Sequence, residues 1–204
     1  MKEMKRRNEE WIGQLKSKGI GFLPGLTEEE IKQIERIYAI IFPESLRDFY
    51  KHGIPYMENE EENRFPKWTD ASESNIQKIK QSLAAPFDWL LQDIKNGFWL
   101  SEWGIKGDSL EDNIQRFRKK IENAPRLIPV YLHRYMVQIP GEEDPPVLSV
   151  AGSDIICYGS NLQEYFYNEF LSDKRPVQIK HRLDIPFFGQ IIRGNEERRN
   201  TSKL

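Results

Sequence analysis

One set of residues in this chain has the types a nucleophilic site requires. Cys157 offers a thiol, His133 a base and Asp154 a carboxylate to orient that base, the grouping that activates a cysteine for attack on a carbonyl. Cys157, however, lies between Ile156 and Tyr158 in an apolar run with the composition of a strand. A reactive cysteine usually sits at a helix N-terminus or beside a cation, where its pKa falls. Inside a strand it usually behaves as a small hydrophobe, and that is the favoured reading here. His52 and His181 are scattered, and none of the three histidines stands at helical ligand spacing with another His, Cys or carboxylate. Gly19-Ile20-Gly21 echoes a phosphate-binding loop but lacks the strand before it and the Lys-Ser/Thr after it, so it reads as a turn. No serine occupies a nucleophile-elbow sequence. The sequence therefore assigns no catalytic residue, no metal ligand and no cofactor, and it reads as a binding module and not as an enzyme.

Aromatic side chains are the other residues with a functional option. They make up 12% of the chain, with five tryptophans. Trp68, Trp89, Trp99 and Trp103 are concentrated in the middle. Core packing is one use for them. The sharper use is a partner-binding patch, because Trp anchors ringed by charge are common at interface centres. On that reading Trp68, Trp99 and Trp103 are the anchors, with Asp93 and Glu102 beside them and Glu60 and Glu61 in an acidic loop nearby. The acidic runs at 58–62 and 142–144 read as solvated; against a basic partner they would steer approach.

Composition limits the remaining options. At 204 residues the chain is one large domain, or one domain with attachments, and needs no metal or disulfide to build a core. Charged residues are 30% of the total, yet the net charge is only −2, so net charge predicts neither nucleic-acid binding nor adhesion to an anionic membrane. A single cysteine excludes an internal disulfide framework and fits a reducing compartment. The opening MKEMKRRNEEWIGQLKSKG lacks the apolar block of a signal peptide, and no run approaches the ~18 apolar residues of a membrane span. The expectation is a soluble cytoplasmic protein.

The elements that must position any site follow from caps and periodicity. Lys2 to Lys18 predicts a helix with Trp11, Ile12 and Leu15 on one side, broken by Gly19, Gly21, Pro24 and Gly25. Thr27 and Glu30 form a capping box, with Leu26 and Ile31 as its hydrophobic staple. Ile31, Ile34, Tyr38 and Ile41 then mark a helix face, with Ile37 beside them. Pro43 opens a second short helix that Gly53 ends. In the middle, Asp70 and Glu73 are read as capping a helix carrying Ile76, Ile79 and Leu83. A further helix follows Pro86 with Phe87, Leu90, Leu91 and Ile94, and Asp108 with Glu111 opens another through Ile121. Strands are predicted at 127–132 and 135–139, then at 147–150 and 155–158 around a hairpin turn at Ala151-Gly152-Ser153-Asp154. Asn161 caps a last helix bearing Leu162, Phe166 and Phe170. The fold class is α+β, a small, mostly antiparallel mixed sheet packed against several helices. Residues 1–23 form an N-terminal helical extension and 24–171 the main module, with a helical insertion at about 69–125. Residues 172–204 are a C-terminal extension, with Asn195 to Leu204 expected to be disordered.

Three stretches resemble the SUKH superfamily, which includes bacterial immunity proteins and a fungal cell-wall regulator. They are GLTEEEIKQIERIYAIIFPESLRDFYKHG at 25–53, LIPVYLHRYM at 127–136 and VLSVAGSDIICYGSNLQEYFYNEF at 147–170. The family order is a first helix beginning Leu-Thr, a Pro-containing start to a second, an Ile-Pro-Val/Ile strand, a hairpin and a final aromatic-rich helix. Where members often carry Asn-Gly after the second helix, this chain has His52-Gly53. The resemblance implies a SUKH-like fold and a bacterial immunity protein that neutralises a polymorphic or contact-delivered toxin by occluding its active site. The partner would be a protein, a toxin domain encoded nearby, with no direct contact to nucleic acid or membrane. A regulatory or scaffold protein of the same fold is the alternative. No catalytic residue carries over from the family.

Overall fold

The computed structural model describes residues 2–59, 61, 63–172 and 184–201. Glu60 and His181 lie outside the described residues, as do residues 202–204. The elements are α1 (Lys2–Ser17), β1 (Gly21–Leu23), α2 (Glu28–Tyr38), α3 (Glu44–His52), β2 (Ile54–Tyr56) and α4 (Glu73–Lys95). A 3₁₀ turn (Ser101–Trp103), α5 (Leu110–Ile121), β3 (Arg126–Tyr131), β4 (Arg134–Gln138), β5 (Val147–Ala151) and β6 (Asp154–Gly159) follow. The chain continues through α6 (Leu162–Phe166), a π turn (Tyr167–Leu171) and α7 (Phe188–Thr201).

The fold is α+β. Strands β3-β4-β5-β6 form a sheet in sequence order, and among the described residues every neighbouring pair in it is antiparallel. Side-chain alternation gives the sheet two apolar faces. On one, Ile128, Val130, Met136 and Val147 join a core with residues of α1, α2, α3 and α6. On the other, Leu127, Tyr135, Val137, Leu148, Val150, Ile155 and Cys157 pack against α4, α5 and α7. Helices therefore cover both faces. α4 serves both cores: Ile79 belongs to the first, Leu90 and Ile94 to the second.

Caps explain where the helices begin. Thr27 and Glu30 form the predicted capping box, with Thr27 N–H donating to Glu30 Oε2 at 2.7 Å and Leu26 and Ile31 both buried. Asn161 caps α6 by accepting from the Glu164 N–H at 2.8 Å, while Glu164 itself reaches Ser160 N–H and not the cap. Two caps shift by a residue or two. Ser72 caps α4, with Asp70 accepting from the Ser72 N–H, and Ser109 caps α5. The hydroxyls of Ser72 and Ser109 each stand three residues before the amide they accept from, so serine outcompetes the neighbouring aspartates.

Several expectations are corrected. α4 does not stop at Pro86. It runs 23 residues with Pro86 inside, because Ile79, Pro86, Leu90 and Ile94 continue one buried stripe across both cores and that packing outweighs the lost hydrogen bond. α2 ends at Tyr38, where Ala39 takes left-handed backbone, so Ile41 leaves the stripe and stands 63% exposed, with Ile37 at 37%. The segment after Gly19 is a short strand: β1 pairs antiparallel with β2. Gly21 faces Tyr56 so closely that a Cβ there would collide with the ring, which gives that glycine a packing role and no phosphate. Residues 195–201, expected to be disordered, complete α7. Phe188, Ile191 and Ile192 bury fully in the second core, Asn195 Nδ2 donates to Ser153 O at 2.7 Å, and Arg198 lies 4.8 Å from the Phe98 ring centroid.

Candidate functional site

The thiol, imidazole and carboxylate of the possible nucleophilic set are not brought together. Cys157 points into the second core, where it is 1% exposed. Asp154 lies three residues earlier on β6, so alternation turns it to the opposite face, and it is exposed. The Cys157 thiol donates to Gly159 O at 3.6 Å, and burial pushes its pKa up to about 12. That is the reverse of nucleophile activation.

His133 instead belongs to a polar knot on the first face. Arg134 Nε donates to Glu169 Oε2 at 2.8 Å, and Nη1 donates to Ser149 Oγ at 2.8 Å and meets His133 Nε2. The guanidinium also lies 4.0 Å from the Tyr158 ring centroid. Ser149 is the register partner of Arg134 across β4 and β5, while the π turn aims Glu169 back at the sheet. Burial, then the Arg134 charge, lower the His133 pKa, which suits a neutral ring accepting from Arg134. The knot ties the last helical turns to the sheet.

The predicted tryptophan patch has an occupant within the chain. Trp103 is 6% exposed, packs edge-to-face with Trp99 at 5.5 Å and donates from Nε1 to Gln190 Oε1 of α7 at 3.0 Å. Half-buried Trp99 donates to Gly104 O at 2.9 Å, and its own carbonyl accepts from Arg198 of α7. Glu102 pairs with Arg193 of α7 at 3.0 Å. Asp93 accepts from the Ser153 N–H at 2.6 Å and holds the β5–β6 turn. Trp99, Trp103 and Glu102 thus form the seat of the last helix. Trp103 is enclosed by these contacts, whereas Trp99 and the Glu102 carboxylate stay partly exposed beside α7. Trp68 is also a core residue, 4% exposed among Tyr38, Phe42 and Tyr50. Glu61 is exposed on its loop.

What Trp68 anchors is more informative than its burial. Residues 63–72, between β2 and α4, have no regular structure, yet they are fixed at several points. Phe65 packs on Tyr131 at 4.7 Å and Phe170 at 5.8 Å, and Trp68 packs in the first core three residues later. The Asn75 amide, 7% exposed, donates to Lys67 O at 2.8 Å and Asp70 O at 2.7 Å. Arg64 O accepts from the Leu132 N–H at 3.3 Å, which ties the loop to the β3–β4 turn. The loop separates two concavities. Toward α2 lies a pocket of about 140 Å³ lined by Glu30, Gln33, Ile34, Tyr38, Trp68 and Asp70 among others. Toward α4 and β3 lies a groove of about 420 Å³ whose walls include Arg64, Lys67, Lys78, Pro129 and Leu132. One side is acidic and the other predominantly basic, with Asp70 bordering both.

Asn75 is the residue that sequence reasoning missed. It occupies the buried stripe of α4 ahead of Ile79, Pro86, Leu90 and Ile94. An asparagine at a core position of an amphipathic helix marks a backbone that needs satisfying, and that was the available signal. Asn113 does the same for the loop before α5, accepting from the Gly107 N–H at 2.8 Å and donating to Gly107 O and Ser109 O. Among the described residues no group of three or more His, Cys, Asp or Glu is placed to hold a metal ion, and no helix is long and apolar enough to cross a membrane. Comparison with protein-family models, with curated proteins and with solved structures finds no match for this chain.

Proposed function

We propose that this chain is a SUKH-like immunity protein, a protein-binding module that acts in the cytoplasm of a bacterial cell and neutralises a toxin domain by covering its active cleft. The observation that carries this reading is the 63–72 loop. It is irregular, internally clamped and bordered by concavities of opposite charge. Rigid surfaces of this kind bind at low entropic cost, since their ordering is complete before the partner arrives. Charge separation across the loop sets orientation and disfavours wrong partners. Supporting the family reading, the Leu26-Thr27 start of α2, α3 behind Pro43, the Ile128-Pro129-Val130 strand and the aromatic α6 all contribute to one core. The mechanism is occlusion: the loop and its flanking walls dock on the toxin and exclude its substrate, with no bond made or broken.

Co-expression with the toxin domain encoded beside this gene tests the proposal. Growth should be restored by the wild-type chain and not by a chain whose 63–72 loop is replaced by a glycine-serine linker of equal length. A toxin that kills equally with and without the chain contradicts the immunity role.

A further inference from the structure

The pocket on the α2 side has a composition that specifies its occupant. Tyr38 and Trp68 meet edge to face at 5.6 Å and line it together with Ile34 and Ile76. Glu30 and Asp70 also line it, and no lysine, arginine or histidine does. Both carboxylates are held ionised. The Thr27 N–H and hydroxyl lower the Glu30 pKa, and hydrogen bonds from Ser72 lower that of Asp70. Thr27 engages Glu30 through Oε2, and the Ser72 N–H engages Asp70 through Oδ1. The volume, about 140 Å³, is well below the ~300 Å³ at which pockets for whole small-molecule ligands begin. It matches the end of one long side chain. The walls are preformed, because Trp68 is locked in the core and the Asn75 amide fixes the backbone at Lys67 and Asp70.

We propose that this pocket receives a lysine or arginine side chain presented by a protein partner, its cation set against the Tyr38 and Trp68 rings and between Glu30 and Asp70. Aromatic rings and carboxylates both attract a cation, and an aromatic wall strengthens with partial desolvation. The groove across the loop, with Arg64, Lys67 and Lys78, repels the same group; Lys67 and Lys78 also bear on Asp70, which borders both concavities, so Glu30 and the two rings distinguish the accepting side. The inference rests on the binding reading above and names the partner's chemistry: a basic surface with one projecting cation, as on a protein that handles nucleic acid.

The test is an NMR titration of the full chain with the peptide acetyl-Gly-Arg-Gly-amide, beside the same peptide with neutral citrulline in place of arginine. The arginine peptide should shift the Trp68 indole and the Tyr38, Glu30 and Asp70 resonances saturably, and the citrulline peptide should not. Asp70→Asn keeps an oxygen for Ser72 and should weaken the arginine peptide by about fivefold, the scale of a solvated charge pair. Glu30→Gln keeps the capping acceptor and supplies the same comparison should Asp70→Asn unfold. No response at about 50 mM peptide, weaker than an interface contact requires, overturns the inference. So does an equal response to citrulline, or wild-type affinity in both variants. The titration needs no toxin, so its failure is separable from that of the immunity role. A silent peptide with growth rescue intact removes the pocket alone; a binding peptide without rescue removes the role alone.

Discussion

Asn75→Ala is the perturbation that the site geometry makes most specific. The amide donates two hydrogen bonds, at 2.8 and 2.7 Å, to the carbonyls of Lys67 and Asp70. Each neutral bond of this kind contributes ~1 kcal/mol net, so the substitution should cost about 2 kcal/mol. For a chain of this size that corresponds to a melting temperature lower by about 4–8 °C. The loss should be local in origin. Hydrogen exchange should speed at Trp68 and Asp70, whose own N–H groups bond within the turn at 3.0 and 3.1 Å, while β4 and β5 keep their protection. Asn113→Ala is the matched control. It removes three bonds from the loop before α5 and should cost about 3 kcal/mol. If the 63–72 loop carries binding, the Asn75 variant should lose partner capture at temperatures where it is still folded, and the Asn113 variant should retain it. Equal losses of capture in the two, or an Asn75 variant as stable as the wild type, would refute the reasoning.

Three further outcomes follow from the packing. Phe166→Ala should cost about 3–5 kcal/mol, since the ring is 2% exposed and lies 4.8 Å from Phe49; half-buried Phe170→Ala should cost less, and an unchanged melt in both would contradict the first core. His133 is held neutral, its pKa below the 6.5 of an unfolded imidazole, so its contribution is complete above pH 6.5 and is lost as pH falls below that value. His133→Gln should flatten the stability profile between pH 7 and 5, well above the range where Glu28, Glu30 and Asp70 take up protons, and superimposable profiles would remove the knot as the cause. The Cys157 thiol should react with a disulfide reagent only as fast as the second core opens, so rapid labelling of the native chain at pH 8 would show the thiol is not enclosed.

Local chemistry made much of this fold legible. The Thr27–Glu30 box, the Asn161 cap and the Gly152-Ser153 turn are interactions among residues a few positions apart, and all appear where the sequence places them. What stayed hidden depends on distant partners. Pro86 is tolerated because α4 crosses two cores, and α7 is held by Trp99, Glu102 and Ser153, which lie 42 to 99 residues away. The tryptophans stand out in the sequence, but the contacts of Trp99 and Trp103 with α7 do not. A sequence shows that an aromatic residue needs a partner, not that the partner is its own C-terminal helix. The loop at 63–72 shows the same limit: its aromatic anchors were visible, whereas the role of Asn75 exists only once α4 packs against the loop.

Stoichiometric inhibition of a toxin domain, the partner that the proposed function places in a neighbouring gene, measures the central claim most directly. Titrating the chain into the active toxin should abolish its activity at one equivalent, with both proteins recovered chemically unchanged. Full toxin activity at a tenfold excess of the chain, or steady turnover of any substrate by the chain alone, would contradict it.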